Sequence, residues 1–384
     1  MTINLAFSNR PGTKIFSSIR SRNRAVIRAE GLLIATIGLQ IAIVIALRLA
    51  YANMSAFDPF SLVAAAMGFA AIVGPSCIFI VVAICFHRVV RSRPEGSASV
   101  ALIREIWGCK SLRARLSNGL PVIAIFVPFI TLFGYLKTNI PLIQPFAWDG
   151  TFTEWDRAIF LGSLPYEFLQ PVMGIPFVVF LTNVAYNVWF FLMWGFLTAF
   201  AFSTARSELR TRYLLSYFLT WIVIGNCLAL AFSSAGPCFN SAIGLLPDPY
   251  QPLMDSLRKA DAVYPIFALT TQDMLWDGYI GERSPLGISA MPSLHNATAT
   301  LMALAAWRFG RAIGLTFVVY AIWIFVGSIS LGWHYAVDGL VALPVTLALW
   351  ALSGFLARWW HQSDRAAAKL KSAGAHQQSA LSFQ

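Results

Sequence analysis

Apolar positions come in long unbroken blocks rather than in the two-residue alternation of strands or the stripe of a surface helix. Runs of roughly 17 to 25 residues, the length that crosses a hydrocarbon core, recur about eight times. They fall near Gly31 to Ala50, Ser61 to Phe86, Leu120 to Leu136, Ile175 to Phe202, Tyr213 to Phe232, Ser293 to Trp307, Ile313 to Leu331 and Tyr335 to Leu356. The pattern predicts an all-α integral membrane protein of about eight transmembrane helices. Polar stretches between the runs then become loops on alternating sides.

Composition agrees: 58% of the 384 residues are hydrophobic and 12% are charged, against about 25% charged in a soluble domain. The placement of charge adds an orientation. Every second connection is basic: the arm before Gly31, the segment "FHRVVRSRPEGSASVALIREIWGCKSLRARL", the turn with Arg206, Arg210 and Arg212, the turn with Arg308 and Arg311, and the tail. Short cytoplasmic loops keep Lys and Arg, so both termini are expected in the cytoplasm. The net charge of +11 is thereby accounted for by topology and anionic lipid contacts, and no nucleic acid is implied. Cys77, Cys85, Cys109, Cys227 and Cys238 show neither disulfide nor metal spacing. The N-terminal arm is read as mature structure and the polar tail as disordered.

Two connections on the outer side are long. One, Thr138 to Pro171, contains "WDGTFTEWDRAIFLGSLPYEFLQ", whose aromatics beside acids predict one or two helices in the headgroup layer. The other, Ser233 to Ala290, is rich in Pro and Gly and should be ordered only by packing over something.

Two of the five histidines stand apart. His295 in "SAMPSLH" opens the sixth run and His334 in "GWHYAVDG" opens the eighth, which places both at the outer face with "SSAGPCF" at the end of the fifth. His334 and Asp338 are four apart and share a helix face, so the carboxylate is able to fix the imidazole tautomer. Pro292 and Ser293 prepare a helix N-terminus that offers free N–H groups to an anion. Residue chemistry alone leaves four readings open: a satisfied structural hydrogen bond with ordinary capping, a nucleophile with a separate acid/base, a zinc site of two His and one Asp, or a proton relay in a transporter.

"PSLH" followed by "HYAVD" resembles the second and third signature motifs of the type 2 phosphatidic acid phosphatase superfamily. With "SSAGPCF" and the upstream "WDRAIFLGSLP", the similarity is narrower, to the branch of fungal inositol phosphorylceramide synthase and its bacterial relatives, over roughly Asp149 to Leu356. The resemblance implies a six-helix lipid phosphatase/phosphotransferase core over 120–358. Around it lie a basic arm (1–30), an extra N-terminal pair of spans with its basic loop (31–119) and the tail (359–384). It also implies transfer through a phosphohistidine, with no metal and no cofactor. His334 would be the nucleophile, Asp338 its orienting partner and His295 the acid and then the base. Ser293 would bind phosphoryl oxygens. The implied partners are a phospholipid donor and a lipid or water acceptor, in a bacterial inner membrane with the site facing the periplasm or cell exterior. Superfamily relatives carry an Arg six residues before the second histidine. Ser328 stands there. Of the cations in the outer loops, Arg283 is the expected phosphate clamp.

Overall fold

Where water is absent every backbone N–H and C=O must be paired within the protein, and a helix does this within its own segment. In the computed structural model, which describes residues 29–92, 97, 99–102, 110–283 and 286–381, every regular element is accordingly helical. In chain order these are α1 (Gly31–Ala50), α2 (Phe60–Ser92), α3 (Lys110–Ile143), α4 (Asp149–Ile159), α5 (Pro165–Met173), α6 (Pro176–Ala201), α7 (Glu208–Ile222), α8 (Gln251–Asp261), α9 (Phe267–Ile280), α10 (Leu294–Ala306), α11 (Arg311–Ser330) and α12 (Ala336–Leu381). Short π and 3-10 turns join some of them.

Among the described residues, six helices are long and apolar enough to cross a membrane: α1, α3, α6, α7 with its extension to Ala231, α11, and α12 as far as Ser363. The chain is an all-α integral membrane protein. The second expected run lies within one helix over Phe60–Ser92. One expected span differs. The sixth, α10, has only 13 residues, about 20 Å of helix, and is enclosed by protein instead of facing lipid.

That enclosure organises the molecule. The sequence "LHNATATLMALAA" buries nine side chains, five of them alanine, and small side chains let neighbouring helix axes approach closely. α10 packs against α6, α7, α11 and α12. Both long connections fold over one end of this post: α4 and α5 from the first, α8 and α9 from the second. Tyr250, Leu253, Met254 and Leu257 of the second join the main apolar core, and Gln272 Nε2 donates to the Leu331 carbonyl at 2.9 Å. The Pro- and Gly-rich connection is ordered by that packing.

The N-terminal helix is stitched to the core. α1 packs on α3 and α7, Gln40 Nε2 donates to Asn226 Oδ1 at 2.9 Å, and Arg210 pairs with buried Glu30 at 3.0 Å. At the other terminus, the tail expected to be disordered continues α12 as helix to Leu381. Its "RAAAKLK" segment is built of strong helix formers. Residues 1–28 of the basic arm lie outside the described residues.

Candidate active site

Three loops separated by up to a hundred residues meet at the covered end of α10, and backbone hydrogen bonds bind each to the others. Ala290 N–H donates to the Ser234 carbonyl at 2.9 Å, Cys238 N–H to the Gly332 carbonyl at 3.0 Å and Ser293 N–H to the Asp338 carbonyl at 3.3 Å. Gly236 sits at the crossing with φ of 108°. A Cβ there would lie 2.8 Å from the Trp333 carbonyl oxygen and 3.2 Å from Ala290 Cβ. Only glycine admits both that backbone and that approach.

α4 locks the crossing from outside. Asp149 accepts from Ala235 N–H at 2.9 Å and Gly236 N–H at 2.8 Å. It also accepts from the Tyr335 hydroxyl at 2.8 Å. One turn pair later, Asp156 accepts from Ala336 and Val337 N–H at 2.8 and 2.9 Å, capping α12 from a different helix. Both carboxylates are about 1% exposed. Burial pushes the Asp149 carboxyl up from its ordinary value and its three hydrogen bonds oppose that. Burial raises Asp156 to about 6, with the two backbone donors opposing. Two of the acids expected in the headgroup layer, Asp149 and Asp156, therefore point inward and hold the motif loops, while Glu154 stays exposed.

His334 follows from this frame. Its own N–H and that of Trp333 both donate to the Ser328 carbonyl at 3.0 Å. Its Nδ1 lies 3.0 Å from Asp338 Oδ2, which also accepts from Tyr335 N–H at 3.2 Å. With Nδ1 engaged, Nε2 is the nitrogen left for a substrate. His295, on the first turn of α10, packs on two aromatic rings of α6: it stacks on Tyr186 at 4.5 Å and lies tilted against Trp189 at 4.1 Å between centroids. Trp189 is itself fixed by Nε1 donating to Thr298 Oγ1 at 2.9 Å. The two imidazoles are 5.7 Å apart, centroid to centroid, and share the wall of a cavity of about 210 Å³ with Lys137, Trp189, Trp221 and Ser289.

The remaining expected site residues are placed differently. Ser293 is fully buried and caps α10, its Oγ accepting from Asn296 N–H at 3.3 Å. It stands beside the cavity without lining it. Arg283 lies outside, about 62% exposed, with its Nε 3.0 Å from Asp277 Oδ2. It follows the tight turn after α9, where Gly281 has φ of 89°, and does not line the cavity. The cation that does line the cavity is Lys137 on α3, its Nζ 2.9 Å from Ser289 Oγ. The sequence reading missed it because it ends an apolar run one residue after Leu136, where a lysine reads as a helix-end anchor. Among the described residues no group of three or more His, Cys, Asp or Glu is gathered as a metal cluster. Asp338 lies behind His334, bonded to its far nitrogen.

The profile of the PAP2 superfamily matches residues 151–352, more than half of the chain. Neither the curated proteins nor the solved structures contain a match.

Proposed function

The chain belongs to the PAP2 superfamily, and from that premise we propose that it is a membrane-embedded lipid phosphotransferase. It moves a phosphoryl-linked head group, phosphoinositol being one that such a site would carry, from a phospholipid donor to the hydroxyl of a lipid acceptor. Superfamily members are phosphatases and phosphotransferases, which sets the reaction type. The observation that carries the reading is the His334–Asp338 pair at 3.0 Å facing His295 across one cavity.

In the first half-reaction Nε2 of His334 forms a bond to phosphorus as the bond to the donor's leaving oxygen breaks, and His295 gives that oxygen its proton. Asp338 accepts the Nδ1–H hydrogen bond and stabilises the charge that develops on the ring. In the second, His295 takes the proton of the acceptor hydroxyl, whose oxygen forms the new bond to phosphorus while the N–P bond breaks. Separating nucleophile from acid/base in this way is the general logic of covalent catalysis. The aromatic walls, Trp189 and Trp221 among them, favour a lipid hydroxyl over water as acceptor. Water in that place would make the chain a lipid phosphate phosphatase. The reaction needs no metal and faces the extracytoplasmic side.

Rapid quench with a donor labelled in the phosphoryl group is the test. Wild type is expected to trap acid-labile, base-stable label, and His334→Ala none; label surviving in that variant sinks the assignment. Activity lost to EDTA and restored by zinc would favour a metal site instead. Hydrolysis alone in the presence of ceramide, diacylglycerol and polyprenol would replace the transferase with the phosphatase.

A further inference from the structure

A phosphoryl group entering between His295 and His334 brings negative charge into a cavity whose walls are mostly aromatic and aliphatic. Buried anions require a cationic or hydrogen-bonding partner. Among the described residues lining the cavity, Lys137 is the one lysine or arginine, and none is an aspartate or glutamate. Its position is built. The stem lies under Gly287, where a Cβ would come within 2.3 Å of Lys137 Cγ and 2.8 Å of its carbonyl oxygen. Its ammonium is held by Ser289, 2.9 Å from Oγ and 3.4 Å from the carbonyl oxygen. A serine hydroxyl is a weak partner for a buried ammonium, and an anionic oxygen would displace it.

We propose that Lys137 receives the non-bridging phosphoryl oxygens, and that as the single fixed cation it matches the cavity to a phosphodiester bearing one negative charge. This rests on the transfer reading above and deepens it by naming the substrate class. The charge count decides. Lys137 supplies one positive charge on this wall, and a phosphodiester brings one negative charge to it. A phosphomonoester brings about 1.5 to 2 negative charges near pH 7, and the excess finds no cation on this wall. The site therefore selects intact phospholipids over phosphatidate-like or pyrophosphate lipids.

The full chain in nanodiscs is assayed with a dodecyl-nitrophenyl phosphate monoester and with its methyl ester, a diester of the same leaving group differing by one charge. Wild type is expected to release nitrophenolate from the diester with kcat/KM about 10-fold or more above the monoester. Lys137→Met is expected to lower the diester value by ~10²- to 10³-fold, the range for losing one preorganised oxyanion partner. Lys137→Arg, which keeps the charge, should recover to within about 10-fold of wild type. Diester turnover by Lys137→Met at the wild-type rate overturns the proposal. A loss in Lys137→Arg as large as that in Lys137→Met would also overturn it, because the positive charge would then not be what the phosphoryl oxygens meet. A wild-type preference for the monoester overturns the charge match. Wild type inactive on both esters, with no label on His334, would instead remove the transfer reading itself, and that outcome is visible before any Lys137 variant is made.

Discussion

Asp338 is fully buried, and a carboxylate in that position is tolerable only because the His334 ring and the Tyr335 N–H answer it. In the proposed transfer its effect would be through the tautomer: a carboxylate at Nδ1 keeps the proton there and leaves Nε2 with its lone pair. Asn at 338 keeps the size but offers an amide N–H, so the ring turns its proton toward the substrate. Asp338→Asn is expected to slow adduct formation on His334 by ~10²- to 10⁴-fold, read by the same rapid quench. A rate within 3-fold of wild type would leave Asp338 a structural partner only. This pair was legible in the sequence because a four-residue spacing states a shared helix face. Lys137 and Arg283 were not, because nothing local to either reveals which reaches the cavity: Arg283 is exposed and pairs with Asp277, and Lys137 comes in from α3, about 160 residues before the histidine it faces.

Among the elements, α4 is the part whose role the pattern disguised. Acids alternating with aromatics describe an interfacial helix equally well whether the acids face water or protein. Here Asp149 and Asp156 are seven apart, two turns along one face, and that face is the buried one. The runs of α1, α6 and α11 appear within two residues of their expected limits, since hydrocarbon length leaves little freedom. α10 was legible as a helix but not as an enclosed one, because burial by protein and burial by lipid demand the same apolar residues. The π turn over Val223–Leu228 carries no sequence signal beyond Gly225, whose bare Cα faces Phe133 and Leu294. The clamp by α4 has a pH signature. The native Asp156 carboxyl holds its proton up to about pH 6 against an ordinary value of 3.8, so across that window the native state binds more protons than the unfolded one. Stability from this group is full below the lower value and is lost as pH rises through the upper. Wild type should therefore lose thermal stability relative to Asp156→Asn between pH 4 and pH 6.5, as measured by melting in detergent. Parallel melting profiles over that range would mean that Asp156 is ionised throughout.

Seen whole, the molecule has a motif end, where α4, α5, α8 and α9 cover the cavity, and an opposite end marked by Arg206, Arg210 and Arg358. α1 ties into that basic end through the Glu30–Arg210 pair, about 1 to 2% exposed, with Arg210 also donating to the Asn118 and Phe200 carbonyls. Removing one partner of so enclosed a pair leaves the other charge unanswered. The first helix is thus bonded to the core at its basic end, and it carries that end's orientation with it. Positive residues are retained on the cytoplasmic side, so the basic end is expected inside and the cavity outside, where the proposed donor and acceptor lipids of the outer leaflet would reach it. Single cysteines test this directly. Glu282, exposed just past α9, and Ser207, exposed at the start of α7, lie near opposite ends of the bundle. In a background with the native cysteines replaced by serine, Glu282→Cys should react with an impermeant maleimide on intact cells. Ser207→Cys should react only after the membrane is opened. The reverse pattern would place the phosphoryl chemistry on the cytoplasmic face and its lipid substrates in the inner leaflet.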